Sequence, residues 1–372
     1  MIKIIHLVSS LSVGSGVMSF IMNYYRNIDR DNIQFGFMYF KDIKENTYED
    51  EIKNLGGECV LIKRPSITPH YRSYVDGIIR LLGGKYSILH IHELYLGFIF
   101  ARSARNCSDM KIIGHAHTTK FAENRLSSIR NRLLCVPNRW LLDFMMACSV
   151  DAGKTYFGKS VKDKRKFFLV KNAIDINKYK YSLSERRKIR KELLIDDDEF
   201  VVGHVGRFSP QKNHEYIYSI IEACSLRKKR YRFILIGDGY IKPMLEKKLS
   251  SCGLDKMVLF LGNRNDVSSI YNAMDAFILP SIFEGLGNVL IEAQTNGLPC
   301  FVSEFVPEEA IVLSTTKQYP ILSDSVIQWV NALEEQNVMR CNNSERIIAN
   351  SGYDITQESK YLYHLYSYIN LC

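Results

Sequence analysis

Apolar and polar positions along this chain form one pattern that occurs twice. Short apolar runs of strand character alternate with longer stretches in which apolar residues recur at helical spacing. In the first half, strand-like runs lie at Lys3 to Val8, Gln34 to Phe40, Glu58 to Ile62, Ile88 to Ile91, Lys111 to His115, Phe144 to Cys148 and Phe167 to Val170. Helical spacing covers Val17 to Asn27, Tyr48 to Leu55, Tyr71 to Leu82, Leu96 to Cys107, Arg125 to Asp143 and Ala152 to Tyr156. This alternation predicts a parallel sheet with helices on both faces.

The segment Lys171-Asn172-Ala173-Ile174-Asp175 reads as the end of a first domain. The charged stretch Lys178 to Glu199 follows, read as a solvated linker and a helix with Arg186 to Lys191 as its exposed basic stripe. The alternation then resumes, with strands at Phe200 to Gly206, Tyr231 to Gly237, Val258 to Leu261, Ala276 to Leu279 and Cys300 to Ser303. Helices are predicted at His214 to Ser225, Ile241 to Ser251, Val267 to Ala273, Val289 to Asn296 and Val326 to Gln336, and a tyrosine-rich amphipathic helix at Glu358 to Leu371. The expected organisation is therefore α/β, with two doubly wound parallel-sheet domains over residues 1–176 and 177–352, and a last helix over 353–372 packing back on the first domain.

Composition narrows the class. A chain of 372 residues exceeds what one core usually organises, and 46% hydrophobic content with mixed charge suits a globular protein. No apolar run reaches membrane-spanning length, and Met1 leads directly into a strand-like run with no secretory leader pattern, so a cytoplasmic address is expected. The nine cysteines contain no C-x-x-C pair, which suits reduced thiols serving mostly as core fillers.

The net charge of +9 is uneven. Residues 1–180 carry 28 Lys and Arg against 16 Asp and Glu, whereas residues 181–372 carry 21 against 24. No nucleic-acid-binding signature accompanies this bias, which leaves an anionic lipid surface or an anionic substrate. The segment Arg125 to Met146 is both basic and apolar, broken by Pro137. It reads either as a core helix with an arginine face or as a surface for an anionic bilayer and a lipid-linked phosphate.

Candidate chemistry gathers at the carboxyl ends of predicted strands, where open α/β sheets bind ligands. Phe283 to Pro299 places Glu284 in a strand-to-helix loop and Glu292 inside the helix. Gly285 and Gly287 let the loop backbone approach a ligand, and the N–H groups of Asn288 and Val289 at the helix start suit an anion. A glutamate inside an amphipathic helix is by itself usually a solvated face. Gly206 precedes Arg207, and with Lys212 the loop offers two cations able to hold a diphosphate from two sides. Gly237-Asp238-Gly239 and Gly262-Asn263-Arg264 end two further strands, and Ser12-Val13-Gly14-Ser15-Gly16 follows the first. His115 and His117 share one side of a strand, but a metal site lacks a third ligand of matching spacing there. A polar contact to a ligand is the stronger reading.

Taken together, VGR with its following Lys, IGDG, FLGNRNDV, LPSIFEG and NVLIEAQTNGLP resemble the retaining glycosyltransferases of family 4, and GSGVMSFIMNYYRNID, IIGHAHTTK and KNAID extend the likeness through the first half. Within that family the chain most resembles enzymes of bacterial capsular, exopolysaccharide or O-antigen assembly. The resemblance implies a GT-B fold, two facing Rossmann-like domains with the donor in the cleft between them. It implies that Glu292 holds the ribose hydroxyls, Glu284 contacts the donor sugar, and Arg207 and Lys212 bind the diphosphate. His117, followed by Thr118, would lie near the transferring sugar, with His115 as the fallback. Gly16 would lie near the phosphates, and Gly206, Asn263, Gly285, Asn288 and Val289 would complete the donor site. The family's Gly-Gly-x-Glu is replaced by Ser15-Gly16-Val17-Met18, which leaves no loop glutamate for the acceptor.

The activity implied is transfer from a nucleotide sugar, a UDP-sugar as co-substrate, to a lipid-linked oligosaccharide, with peripheral attachment to the inner face of the membrane. No metal and no tightly bound cofactor are expected, because the cations neutralise the leaving diphosphate. Front-face attack with retention is the family's usual assignment, and a double displacement through Glu284 stays open beside it. Two alternatives differ in kind: a nucleotide-sugar epimerase of the same fold, and a non-catalytic nucleotide-sugar-binding partner subunit.

Overall fold

The computed structural model describes residues 1–66, 68–122, 124–335 and 340–372. Gln336, the predicted end of one helix, lies outside them. The chain divides into two compact units, one comprising Met1–Ala173 with Ile355–Cys372 and the other Ile174–Asp354.

In the first unit the strands are β1 (Ile2–Val8), β2 (Ile33–Tyr39), β3 (Glu58–Leu61), β4 (Ile88–Ile91), β5 (Lys111–Ala116), β6 (Phe144–Ala147) and β7 (Phe167–Leu169). Its helices up to that point are α1 (Gly16–Asn27), α2 (Glu49–Asn54), α3 (Pro69–Gly83), α4 (Gly97–Cys107), α5 (Arg125–Cys135), α6 (Asn138–Leu141) and α7 (Val150–Phe157). The sheet is parallel in the order β3-β2-β1-β4-β5-β6-β7. The order reverses between β1 and β4, which opens a crevice at their carboxyl ends. Helix starts are set by side chains that accept from otherwise unpaired N–H groups: Ser15 from Met18, Thr68 from Tyr71, Asn124 from Leu126, and Ser149 from Ala152.

The second unit contains α8 (Ile176–Tyr179), α9 (Leu183–Glu192), α10 (His214–Ser225), α11 (Lys242–Ser251), α12 (Val267–Ile270), α13 (Asn288–Thr295), α14 (Val326–Glu334) and α15 (Ser344–Ile348). Its strands are β8 (Phe200–Val205), β9 (Tyr231–Ile236), β10 (Val258–Gly262), β11 (Ala276–Leu279), β12 (Cys300–Ser303) and β13 (Thr316–Tyr319). They are again parallel, in the order β10-β9-β8-β11-β12-β13, so the switch point lies between β8 and β11. β13 escapes the hydrophobic pattern because its sequence is TKQY, with Lys317 and Gln318 exposed on a sheet edge. The chain then returns to the first unit as α16 (Ile355–Leu371), whose Ile355, Leu362, Leu365, Tyr366 and Ile369 share one core with α1, β1 and β2.

Two expectations need correction and one open reading is decided. Arg186 and Arg190 on α9 are not a solvated stripe. Both bind Asp275, at 2.6 Å and 3.3 Å, together with carbonyls of residues 272–274, and Arg190 is only 4% exposed. A charged segment reads as exposed only while the carboxylate and carbonyls that can bury it are unseen. Of the two readings of α5 and α6, the exposure of Leu126, Ile129, Leu133 and Trp140 favours the surface, although Cys135 is buried. Finally, four of the nine cysteines are buried, so fewer than half are core fillers, and all nine are free thiols.

Candidate active site

At the switch point of the second unit, the loops after β8 and β11 are tied together. Ile282 N donates to the Gln211 carbonyl at 2.8 Å, and the Gln211 side-chain amide donates to the Phe283 carbonyl at 3.1 Å. This pairing brings two of the predicted residues into contact: Lys212 Nζ lies 2.6 Å from Glu284 Oε1, with Glu284 5% exposed. The sequence separates them by their different roles, but the fold makes them one ion pair. Lys212 reaches Glu284 because its stem lies over Gly206, where a Cβ would come within 3.0 Å of Lys212 Cε. The neighbouring Gly237 has φ +127°, and a Cβ there would meet the Gly206 carbonyl at 2.1 Å. Arg207 is exposed and, among the described residues, its side chain has no bonded partner, so it is available to an incoming anion.

The loop leaves Glu284 through Gly285 and enters α13 at Gly287, whose left-handed φ of 73° favours glycine just before Asn288 and Val289. That turn holds no acidic side chain, so its positive dipole end is not cancelled. One turn on, Glu292 is half-buried, and the Tyr271 hydroxyl lies 3.0 Å from its Oε2 and 3.2 Å from the Val289 carbonyl. Burial pushes the Glu292 carboxyl above its ordinary range, opposed by hydrogen bonds from Tyr271 and Tyr179 and by Lys178. Thus Glu292 does not point away from the protein into solvent.

Tyr271 belongs to a part of the site that periodicity does not reveal. The backbone carbonyls from 271 to 274 are gripped by Arg186, Arg190 and Arg340, the last donating to those of Tyr271 at 3.2 Å and Asn272 at 3.1 Å. Fork-shaped guanidinium groups suit this, since each satisfies several carbonyls from one position. Asn263, by contrast, is exposed at the end of β10.

Gly16 and His117 belong to the first unit. Gly16 opens α1, and a Cβ there would meet nothing within 4 Å, so internal packing does not demand glycine. One turn later Phe20 meets the rings of His115 and His117 edge-on, at 5.0 Å and 5.1 Å between centroids. His117 is not alone. His6 Nδ1 lies 2.9 Å from His92 Nε2, and His92 Nδ1 lies 2.7 Å from His117 Nε2. Beside that chain, His90 Nε2 lies 3.2 Å from His115 Nδ1, and the Tyr366 hydroxyl lies 2.8 Å from His90 Nδ1.

A neutral imidazole can donate on one side and accept on the other, which such a chain requires. Burial keeps the rings neutral: His6 is held down at about 3, and His90, His92 and His115 also fall well below the ordinary range. The third nitrogen that the spacing of His115 and His117 lacks is supplied across the sheet. His92, His115 and His117 offer nitrogens within 4.8 Å of one another, as do His6, His90 and His92, so either trio could hold a metal. The signal was available in the alternation His90-x-His92, matching that of His115-x-His117.

The outer face of α5 and α6 combines exposed Leu126, Ile129, Leu133 and Trp140 with exposed Arg125, Arg130, Arg132 and Arg139, and the Arg139 guanidinium stacks 4.0 Å over the Trp140 ring. No helix among the described residues is long and apolar enough to cross a membrane.

Comparison with known proteins matches part of this chain to a family model and the whole of it to several relatives. Residues 185–350 match the model for glycosyl transferases group 1. The putative glycosyltransferase EpsF of Bacillus subtilis (strain 168) is 28% identical over 98% of this chain and 96% of the relative. An Escherichia coli protein named UDP-Gal:alpha-D-GlcNAc-diphosphoundecaprenol alpha-1,3-galactosyltransferase is 24% identical, with the same two shares covered. The crystal structure of Anabaena Alr3699/HepE in complex with UDP-glucose superposes with a TM-score of 0.79 at 20% identity, covering 99% of this chain and all of that one. WaaG, a glycosyltransferase involved in lipopolysaccharide biosynthesis, gives 0.72 at 16% identity, over 98% and 99%. At such identities the structural likeness establishes the fold, which is GT-B.

Proposed function

We propose that this chain, whose residues 185–350 match the group 1 glycosyl transferases, moves a sugar, with retention and without a metal, from a UDP-sugar to a lipid-linked oligosaccharide in surface-polysaccharide assembly. The observation that carries this reading is the Lys212–Glu284 ion pair at the β8/β11 switch point, beside the start of α13. A diphosphate seated there meets Lys212, Arg207 and the helix dipole. Glu284 faces the adjoining sugar, and Glu292, held by Tyr271, takes the ribose hydroxyls. The choice of UDP and of a lipid-linked acceptor is supported by the printed names of the relatives and of the ligand-bound structure.

In the proposed reaction the bond from the anomeric carbon to the β-phosphate oxygen breaks. Negative charge gathers on the diphosphate and positive charge on the sugar. Lys212 and Arg207 stabilise the former without reorganising, the largest kind of electrostatic contribution available to such a site. The acceptor oxygen bonds to the same face of the sugar, its proton passes to the departing phosphate, and UDP leaves. In the first unit, His117, its orientation held by His92, would contact a sugar, and Gly16 would let a phosphate approach closely. The basic, apolar face of α5 and α6 would rest on the anionic cytoplasmic surface of the membrane, where the acceptor resides.

The test is incubation with a panel of UDP-sugars and a diphosphoundecaprenol-linked saccharide, followed by mass spectrometry of both products. Transfer to the lipid is expected. Isomerised UDP-sugar without transfer would identify an epimerase, and binding without turnover a non-catalytic subunit.

A further inference from the structure

At the carboxyl ends of β2, β3 and β4 in the first unit lies a cavity of about 390 Å³ that the donor chemistry does not use. Its walls come from Phe40 after β2, Tyr95 after β4, Phe98 and Ile99 on α4, and Leu134 on α5. Around these apolar groups stand three cations, Lys41, Arg64 and Arg130, and among the described residues no acidic side chain lines the cavity. All three are exposed, and none makes an ion pair among the described residues. Among the described residues Arg130 is braced by the neutral Asn131 side chain, its Nε and Nη2 lying 3.1 Å and 3.0 Å from Oδ1. The nearby Glu93 feels Lys41 but is pushed toward its neutral form by burial.

The cavity's outer wall is also the edge of an exposed apolar surface. Arg130 and Leu134 face the cavity from α5, and Leu126, Ile129 and Leu133 occupy the adjoining face of the same helix, 79%, 55% and 67% exposed. A run of this kind on a basic helix is an expensive surface to leave in water. Three unpaired cations meeting a hydrocarbon-lined space that opens onto an apolar stripe select a ligand with a multiply charged anionic head and a hydrocarbon tail. A nucleotide would leave the stripe uncovered, and a neutral lipid would leave the cations unpaired.

We infer that this cavity is the seat of a polyisoprenyl diphosphate, with Lys41, Arg64 and Arg130 on the diphosphate and the chain leaving over Leu126, Ile129 and Leu133. The inference rests on the lipid-linked acceptor proposed above and gives it a place.

The test is calorimetric titration of the full chain with farnesyl diphosphate, inorganic diphosphate and farnesol, with UDP titrated in parallel. Farnesyl diphosphate should bind at least roughly tenfold tighter than either fragment. Arg64→Gln with Arg130→Gln should weaken it by roughly tenfold or more, as expected for lost charge-assisted hydrogen bonds, and Leu134→Ser should weaken it in the same direction. UDP affinity should stay unchanged in every variant, since none of the altered side chains belongs to the donor site proposed above. Absence of farnesyl diphosphate binding, indifference to these substitutions, or equal binding of inorganic diphosphate would each overturn the inference. Loss of UDP binding by the unaltered chain would instead count against the donor reading and leave this readout standing. Because these side chains are exposed or half-buried, the variants should fold, which an unchanged Tm would verify.

Discussion

The Tyr271 hydroxyl lies 3.0 Å from Glu292 Oε2, so the glutamate expected to grip ribose is held by a fully buried tyrosine that no motif includes. The two act as a unit. Tyr271→Phe should lower UDP affinity roughly 10- to 100-fold through loss of orientation, by about the worth of one hydrogen bond to a charged group, roughly 1.5–3 kcal/mol. Equal UDP affinity in the variant and the parent, measured by calorimetry, would remove Tyr271 from the site.

Glu292→Gln should separate binding from stability. The folded-state carboxyl is raised above its ordinary 4.5, so ionising it favours the unfolded chain as pH rises past that value. Replacing it should therefore raise Tm at pH 7, with the gain vanishing below about pH 4.5, while UDP affinity falls. Thermal melts at the two pH values check the sign.

Lys212→Met should cut turnover roughly 10²- to 10³-fold, the range for losing one preorganised donor to transition-state charge. Glu284, 5% exposed and then without its cation, should also make the variant less stable. Full activity in a steady-state assay would refute the diphosphate assignment.

Activity should survive exhaustive chelation if no metal takes part. The two histidine trios make this a demanding test, because either could retain an ion that a mild chelator misses. Metal content and turnover measured on the same sample decide it: turnover that falls with the metal and returns on adding it back would reverse the proposal.

The buried imidazoles should make the first unit acid-sensitive. His6 is neutral when folded, with its value down at about 3, whereas the unfolded chain takes up its proton below 6.5. Stability is lost as pH falls through that interval, by up to about 1.4 kcal/mol per pH unit for each such histidine. Urea melts at pH 7 and pH 5 should show the slope, and His6→Leu should reduce it by about one proton's share.

How much of this was legible in the sequence depends on the kind of interaction. Strands such as Ile88–Ile91 and Ala276–Leu279 stand at their predicted bounds because a buried parallel strand must be apolar along its length. β13, with Lys317 and Gln318, was missed because an edge strand carries no such demand. The exposed Leu126 and Leu133 read equally well as core or as surface, since spacing tells that a helix has an apolar face and not what covers it.

The sequence by itself determined the double α/β alternation, and it placed Arg207, Lys212, Glu284 and Glu292 near strand ends, because local periodicity and loop position are properties of neighbouring residues. Tertiary structure decided which of them meet. Lys212 and Glu284 are 72 residues apart and become one ion pair only when β8 lies beside β11. His6, His92 and His117 become one hydrogen-bonded chain only when β1, β4 and β5 are in register. Arg186 and Arg190, charged and so read as solvated, were drawn inside by Asp275 and the carbonyls beside Tyr271. A buried charge is settled by partners distant in the chain, and those partners exist only in the fold.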